Sequence, residues 1–268
     1  MKDVLVDALL GHLDEAIKQS QALGRPGAFA FDADGTLWSG DAGEDFLFAL
    51  LERKLVLTEA MEALEREARS CGIDSTGLSA TELARKLFDA YTAGAYPEEH
   101  ICRVTAWACA GYTEASARNM AHGFLVDAKL PARILPETAE IMRFAAARGV
   151  SVYVVSASPE HVVAAGIRLA GLPCTRVFAA TPQYALGRMI PRTNEPIPYG
   201  PGKRTILQAE LAQTGGGELL AAFGDNVFDL PMLEVARFGV AVRPKKRLLD
   251  ALSPGQDAAL WHLLPSEA

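Results

Sequence analysis

Cysteine, aromatic side chains and positive charge are all scarce in this chain, and each shortage closes off a class of protein. Four cysteines, Cys71, Cys102, Cys109 and Cys174, occur in 268 residues without a Cys-x-x-Cys pair. Neither a disulfide framework nor a thiolate zinc site is expected from them. Cys102 and Cys109 stand seven apart in a helical pattern, where they read as small apolar packing residues. Lysine and arginine number 26 against 33 acids, a formal net charge of −7. That balance argues against general nucleic-acid or anionic-membrane binding. The one basic cluster, "RPKKR" at 243–247, reads as a solvated helix start after a strand. No apolar run is long enough to span a membrane. The first residues read as an amphipathic helix, with Leu5, Leu9, Leu13 and Ile17 on one face, and not as a signal peptide. Internal repeats and low-complexity tracts are missing too. A cytoplasmic protein with no nucleic-acid or membrane partner is expected.

What is there is a globular composition, 50% hydrophobic and 22% charged. The length fits one large domain or one domain with an insertion. Apolar runs at 28–32, 150–156, 175–179, 219–223 and 238–242 lack polar alternation, as parallel strands covered on both faces do. Helical patterns at 136–148, 159–170 and 203–213 separate the later runs. Strands alternating with helices predict an α/β protein with a doubly wound, Rossmann-like parallel sheet. Its ligands would bind at the carboxyl ends of the strands. Residues 39–130 carry almost no strand signal. Helices are expected there at about 42–54, 58–70, 97–110 and 114–128, and after the capping-box pair Ser79 and Glu82. The proline-rich stretch 180–201 reads as a small irregular hairpin.

The stretch "FAFDADGTLW" (29–38) ends a buried run in two carboxylates, Asp32 and Asp34, followed by Gly35. Side chains at i and i+2 of an extended chain share one face. Two carboxylates so placed repel unless a cation or a shared proton lies between them. Other strand exits add polar residues: Ser156 and Ser158 in "VVSASPEH", and Asp225 and Asp229 in "FGDNVFD". Lys203 opens the helix after the hairpin. In a parallel sheet these ends converge on one crevice. Each carboxylate pair at 4 Å would cost about 4 kcal/mol at an effective dielectric of about 20. Lys203 alone cannot offset that. A hard divalent cation can, and an oxygen-only ligand set suits Mg²⁺, which leaves room for a phosphate. A carboxylate nucleophile beside a metal, a lysine and a phosphate cradle is the equipment of an aspartyl-phosphate mechanism.

"DADGTL", "VVSAS", Lys203 and "GDNVFD", in that order across residues 28–242, resemble the four motifs of the haloacid dehalogenase superfamily. "VSASPEH" and the hairpin before the lysine are most similar to its phosphoserine-phosphatase-like branch. The resemblance implies an α/β core over 1–38 and 131–268 and a helical cap over 39–130. It implies a Mg²⁺-dependent phosphomonoesterase acting on a small phosphorylated metabolite. Asp32 would be the nucleophile and Asp34 the acid and base. Ser156 and Lys203 would bind phosphate. Asp32, Asp34 through its main-chain carbonyl, and Asp225 would hold Mg²⁺, with Asp229 orienting its waters or Lys203. A phosphotransferase or mutase on the same fold, or a non-catalytic phosphate-binding module, is the alternative.

Other positions carry plainer expectations. Ser158 reads as a helix cap before Pro159, His161 as helix surface or rim, and Trp38 as packing at the cap hinge. The resemblance to phosphoserine phosphatases, in which an acid just after the first motif helps bind the substrate's ammonium, implies that role for Asp41 or Glu44; the plainer reading is that both favour a helix N-terminus. No arginine among Arg53, Arg66, Arg85 and Arg103 can be matched to a substrate carboxylate.

Overall fold

A computed structural model describes residues 1–252 and 260–265. Residues 253–259 and 266–268, the far end of the expected core, lie outside the described residues. Strand β1 (Lys2–Val4) and helix α1 (Val6–Ala22) precede the first long strand, β2 (Gly27–Phe31). Five helices follow: α2 (Ala42–Glu52), α3 (Met61–Ser70), α4 (Ala80–Thr92), α5 (Glu98–Trp107) and α6 (Glu114–Asp127). Then come α7 (Pro136–Ala147), β3 (Ser151–Pro159), α8 (Glu160–Ala170) and β4 (Arg176–Ala180). A hairpin of β5 (Pro182–Ala185) and β6 (Arg188–Thr193) leads to α9 (Pro201–Gln213). The chain continues through β7 (Glu218–Gly224), α10 (Leu230–Leu233), β8 (Phe238–Val242), α11 (Lys246–Ala251) and β9 (Leu260–Leu263).

The main sheet has seven strands in the order β1-β9-β8-β7-β2-β3-β4. Every pairing within it is parallel. β2 lies between β7 and β3, with earlier and later crossovers leaving to opposite sides. That reversal opens a crevice beyond the carboxyl end of β2. Phe31 and Phe223, neither exposed to solvent, stack across the β2–β7 pair with ring centroids 4.4 Å apart. No helix among the described residues is long and apolar enough to cross a membrane.

All five expected strands are present, and the sheet gains two. β1 and β9 have three and four residues, too few for a recognisable apolar run. Leu9, Leu13 and Ile17 are buried as expected, but Leu5 precedes α1 and is exposed. The segment expected as one helix at 58–70 begins with a 3-10 turn, Thr58–Ala60. Ser79 and Glu82 do form a capping box. α5 ends at Trp107, so Cys102 and Cys109 do not share a helix. Cys109 is fully buried, whereas Cys102 reaches a cavity.

His161 departs from expectation most. It is 1% exposed, not on a helix surface, because α8 packs against α2 and α6 on that side. Its ring meets the edge of Phe46 at 5.1 Å, and neither nitrogen has a hydrogen-bond partner. Burial, with a smaller contribution from Arg118, lowers its pKa to about 4. The unfolded imidazole titrates near ~6.5. The neutral ring's contribution is therefore whole above that pH and is lost as pH falls toward 4. His161→Phe should remove a pH-dependent destabilisation of about 3 kcal/mol across that window. Urea unfolding of both proteins at pH 7 and pH 4.5 checks this; parallel losses in the two would refute a buried neutral histidine.

Candidate active site

β2 ends at Phe31, and the ladder runs one bond further, from Asp32 N–H to the Phe223 carbonyl at 2.9 Å. The chain then turns tightly through Gly35, whose φ is +81°. A Cβ at position 35 would lie 2.1 Å from Asp225 Oδ2. Glycine there lets the Asp225 carboxylate, from the end of β7, settle on the 34–35 backbone. A Cβ at Gly224 would likewise meet Asp229 at 2.4 Å, so Asp229 folds back under the strand end.

These turns bring the carboxylates around one buried ammonium. Lys203, in the first turn of α9 and 3% exposed, donates to Asp32 Oδ1 and Asp229 Oδ1, each at 2.6 Å. Asp229 Oδ2 accepts from the backbone N–H groups of Asp225 (3.0 Å) and Asn226 (2.9 Å). Burial pushes the Asp32 carboxyl well above the usual range; Lys203 pulls it back, and Asp229, Asp225 and Asp34 push it further up. Burial opposes charge on Lys203, but Asp229 and Asp32 outweigh it and raise its pKa. Burial and then Asp229 lift Asp225 to about 6.

Lys203, together with Lys245 at 2.9 Å from Asp225 Oδ2, still leaves the carboxylates of Asp32, Asp34, Asp225 and Asp229 in excess. Carboxylate oxygens of Asp32, Asp225 and Asp229 all lie within 4.8 Å of one another. A hard divalent cation fits such a donor set. Asp229 is already bonded through both oxygens to three donors, so it suits orientation better than direct ligation. Asp32 and Asp225 remain the side chains able to offer oxygens. The Asp34 side chain is engaged elsewhere. Its Oδ1 accepts from Trp38 Nε1 and the Ala42 N–H, both at 2.7 Å, and its Oδ2 from Ser158 Oγ at 2.6 Å.

Ser158 is thus a partner of Asp34, not a helix cap; Pro159 takes the cap position of α8. Trp38 packs as expected and also holds Asp34. A Cβ at Gly166 of α8 would come within 2.9 Å of its ring, so that glycine makes room for it. Ser156, 2% exposed at the end of β3, accepts from the Ser158 N–H at 3.1 Å and lines the same cavity, which holds about 480 Å³. Asp41 and Glu44 line it as well. Asp41 caps α2 by accepting from the Glu44 N–H at 2.8 Å, and burial, then Asp34, raises its pKa well above the usual range. Glu44 accepts from the Tyr91 hydroxyl at 2.8 Å. None of the four arginines lines the cavity: Arg53 pairs with Asp127, Arg66 with Glu62, Arg85 with Glu52, and Arg103 with Glu99 and Glu195.

The basic cluster at 243–247 is not simply a solvated helix start. Arg243 pairs with the buried Glu137 at 2.8 Å. Lys245 reaches Asp225 Oδ2 at 2.9 Å, and Arg247 reaches Glu98 of α5 at 2.9 Å. Lys245 and Arg247 both line the cavity. The available signal was position: the cluster directly follows β8, on the carboxyl edge where such sheets bind ligands.

A family model described as haloacid dehalogenase-like hydrolase matches residues 29–234. No curated protein matches the sequence. Among solved structures, a protein of unknown function from Bordetella pertussis Tohama I has a TM-score of 0.65 and 20% identity, over 89% of this chain and 98% of that one. A haloacid dehalogenase family hydrolase from Salmonella enterica serovar Typhi has a TM-score of 0.54 and 17% identity, over 91% and 74%. A phosphoserine phosphatase carrying a phospho-aspartyl intermediate analogue has a TM-score of 0.52 and 17% identity, over 89% and 93%. These likenesses show a shared fold.

Lys203→Met should leave Asp32 and Asp229 buried without their cation, at a cost of about 3–5 kcal/mol. Urea unfolding in EDTA at pH 7 measures it. A midpoint equal to the wild type's would mean that the buried ion triad is not formed.

Proposed function

The chain belongs to the haloacid dehalogenase-like hydrolase family, and we propose that it is a Mg²⁺-dependent phosphomonoesterase acting on a small phosphorylated metabolite. The observation that carries this reading is the buried Asp32, bonded to Lys203 on one oxygen, with Asp34 two residues on at the cavity wall. The likeness of the fold to a phosphoserine phosphatase with a phospho-aspartyl analogue supports it. Asp32, Asp225 and the Asp34 carbonyl would hold Mg²⁺. The ion, when bound, supplies the positive charge that keeps Asp32 ionised and admits a phosphate dianion to an acidic cavity.

Asp32 attacks phosphorus, and the bond from phosphorus to the ester oxygen breaks. Asp34 acts as the general acid, giving a proton to the departing alcohol. It then takes a proton from the water that attacks the aspartyl phosphate, releasing phosphate and restoring Asp32. Lys203 and Ser156 hold phosphoryl oxygens. Ser158, Trp38 and the Ala42 N–H fix the Asp34 carboxyl at the cavity wall. Residues 39–130 serve as a cap over a core of 1–38 and 131–268, excluding bulk water. Free cysteines accord with a reducing cytoplasm as the site of action.

Asp41 and Glu44 favour a substrate whose alcohol carries an amine. Among the described residues neither carboxylate has an ion-pair partner. Phosphoethanolamine, phosphocholine and phosphoserine each carry such a cation; Arg247, paired with Glu98 at the same cavity, is the arginine that a phosphoserine carboxylate would meet.

Phosphate release from a panel of phosphomonoesters, with Mg²⁺ and with EDTA, tests the reading. Asp32→Asn should lower turnover by a factor on the order of 10³ or more, as loss of a nucleophile does; near-normal turnover would refute the nucleophile. Glu44→Gln should raise KM for phosphoethanolamine about tenfold, the effect of one lost charged contact, and leave p-nitrophenyl phosphate unchanged. Equal effects on both would remove Glu44 from amine recognition.

A further inference from the structure

A second cavity, of about 470 Å³, lies against the one over Asp32. Glu44, Tyr91, Glu98 and Arg247 line both. The Arg247 guanidinium meets Glu98 at 2.9 Å and lies 5.3 Å from the centre of the Phe228 ring, which itself packs on Tyr199 with centroids 4.3 Å apart. From this shared wall we infer that the Arg247–Glu98 pair is a bar across the substrate cavity, and that it sets the largest alcohol the site admits. The inference rests on the phosphomonoesterase reading for its biological meaning, but the bar itself is a matter of access.

Both ends of the bar stand on fixed backbone. Glu98 begins α5, which packs against β3 and β6. Arg247 lies in α11 (Lys246–Ala251), and the chain entering that helix is tied down at two points. The Lys245 N–H bonds the Asp225 carbonyl at 2.7 Å, and Arg243 pairs with Glu137. Glu98 belongs to the proposed cap and Arg247 to the proposed core, so the pair also ties the two together; with the cap in place, opening needs only side-chain rotation. Arg247 is 66% exposed in its side chain, so there is open space for it to rotate into. An exposed ion pair and a cation–π contact are each weak. Losing both together costs about tenfold in a rate constant. A small amino-alcohol phosphate fits behind the closed bar. A bulky phosphoester must displace it and join the two cavities.

The test compares kcat/KM for adenosine 5′-monophosphate and for phosphoethanolamine. Arg247→Ala should raise the ratio of bulky to small substrate about tenfold, the cost of the two lost contacts, and Glu98→Ala, which loses the ion pair alone, about threefold. The exchanged pair, Glu98→Arg with Arg247→Glu, should return the ratio toward the wild type's. The two single variants change charge in opposite directions. Ratios that move in opposite directions would therefore reveal a charge effect, and unchanged ratios would show no bar; either overturns the inference while leaving the phosphatase reading intact. A second measurement needs no turnover. Cys102 lines the inner cavity, and burial raises its thiol pKa, so labelling is done at alkaline pH and read by peptide mass. Arg247→Ala should speed its labelling by a bulky maleimide about tenfold relative to methyl methanethiosulfonate. If no phosphoester is hydrolysed at all, the phosphatase reading fails and this ratio alone decides the bar; an unchanged ratio overturns it.

Discussion

The structure is organised around one lysine held between two buried aspartates. Lys203 is drawn out of water to meet Asp32 and Asp229, and taking charges out of water is costly unless partners surround them. Three segments far apart in the chain must therefore meet with their polar ends in register: the exits of β2 and β7 and the first turn of α9. The parallel sheet makes that possible, because its central strands end together on one edge. The glycines at 35 and 224 are part of the same constraint. Each removes a Cβ where a carboxylate has to lie against backbone.

Around this triad the charge is left deliberately incomplete. Asp225 and the raised Asp32 describe a pocket short of positive charge. That is the electrostatic state that suits a divalent cation. Asp34 differs in kind from its neighbours. Its oxygens take hydrogen bonds from Trp38, Ala42 and Ser158, which come from the turn after β2, the start of α2 and the end of β3. A carboxyl held from three directions has a fixed orientation at the cavity wall. The room for Trp38 comes in turn from Gly166, so the packing of α8 bears on how Asp34 is held.

The outer wall has another logic. Asp41 and Glu44 present acid to the cavity, while the 243–247 loop brings base, each of Arg243, Lys245 and Arg247 answered by an acid from a different element. The loop links α7, β7 and α5 at the rim of the site, which makes the rim part of the core's ion network.

Much of this was legible in the residues themselves. Apolar runs without alternation mark strands covered on both faces, and five of the seven in the main sheet are read that way. The short edge strands β1 and β9 leave no such trace, since three or four residues carry too little pattern. Asp32, Asp34, Ser156, Lys203, Asp225 and Asp229 were visible because their chemistry is local: polar residues standing where an apolar run stops. The partners of these groups were not visible. Ser158 on Asp34, Arg247 on Glu98, and His161 buried against Phe46 join positions separated by many residues. A side chain at a helix start looks alike in sequence whether it faces water, a cap or a cavity. Strand, turn and motif follow from short-range stereochemistry and polarity, which the sequence determined by itself. Which charge meets which, and which polar ring is shut away from water, depends on packing between distant elements, and only the tertiary structure decided that.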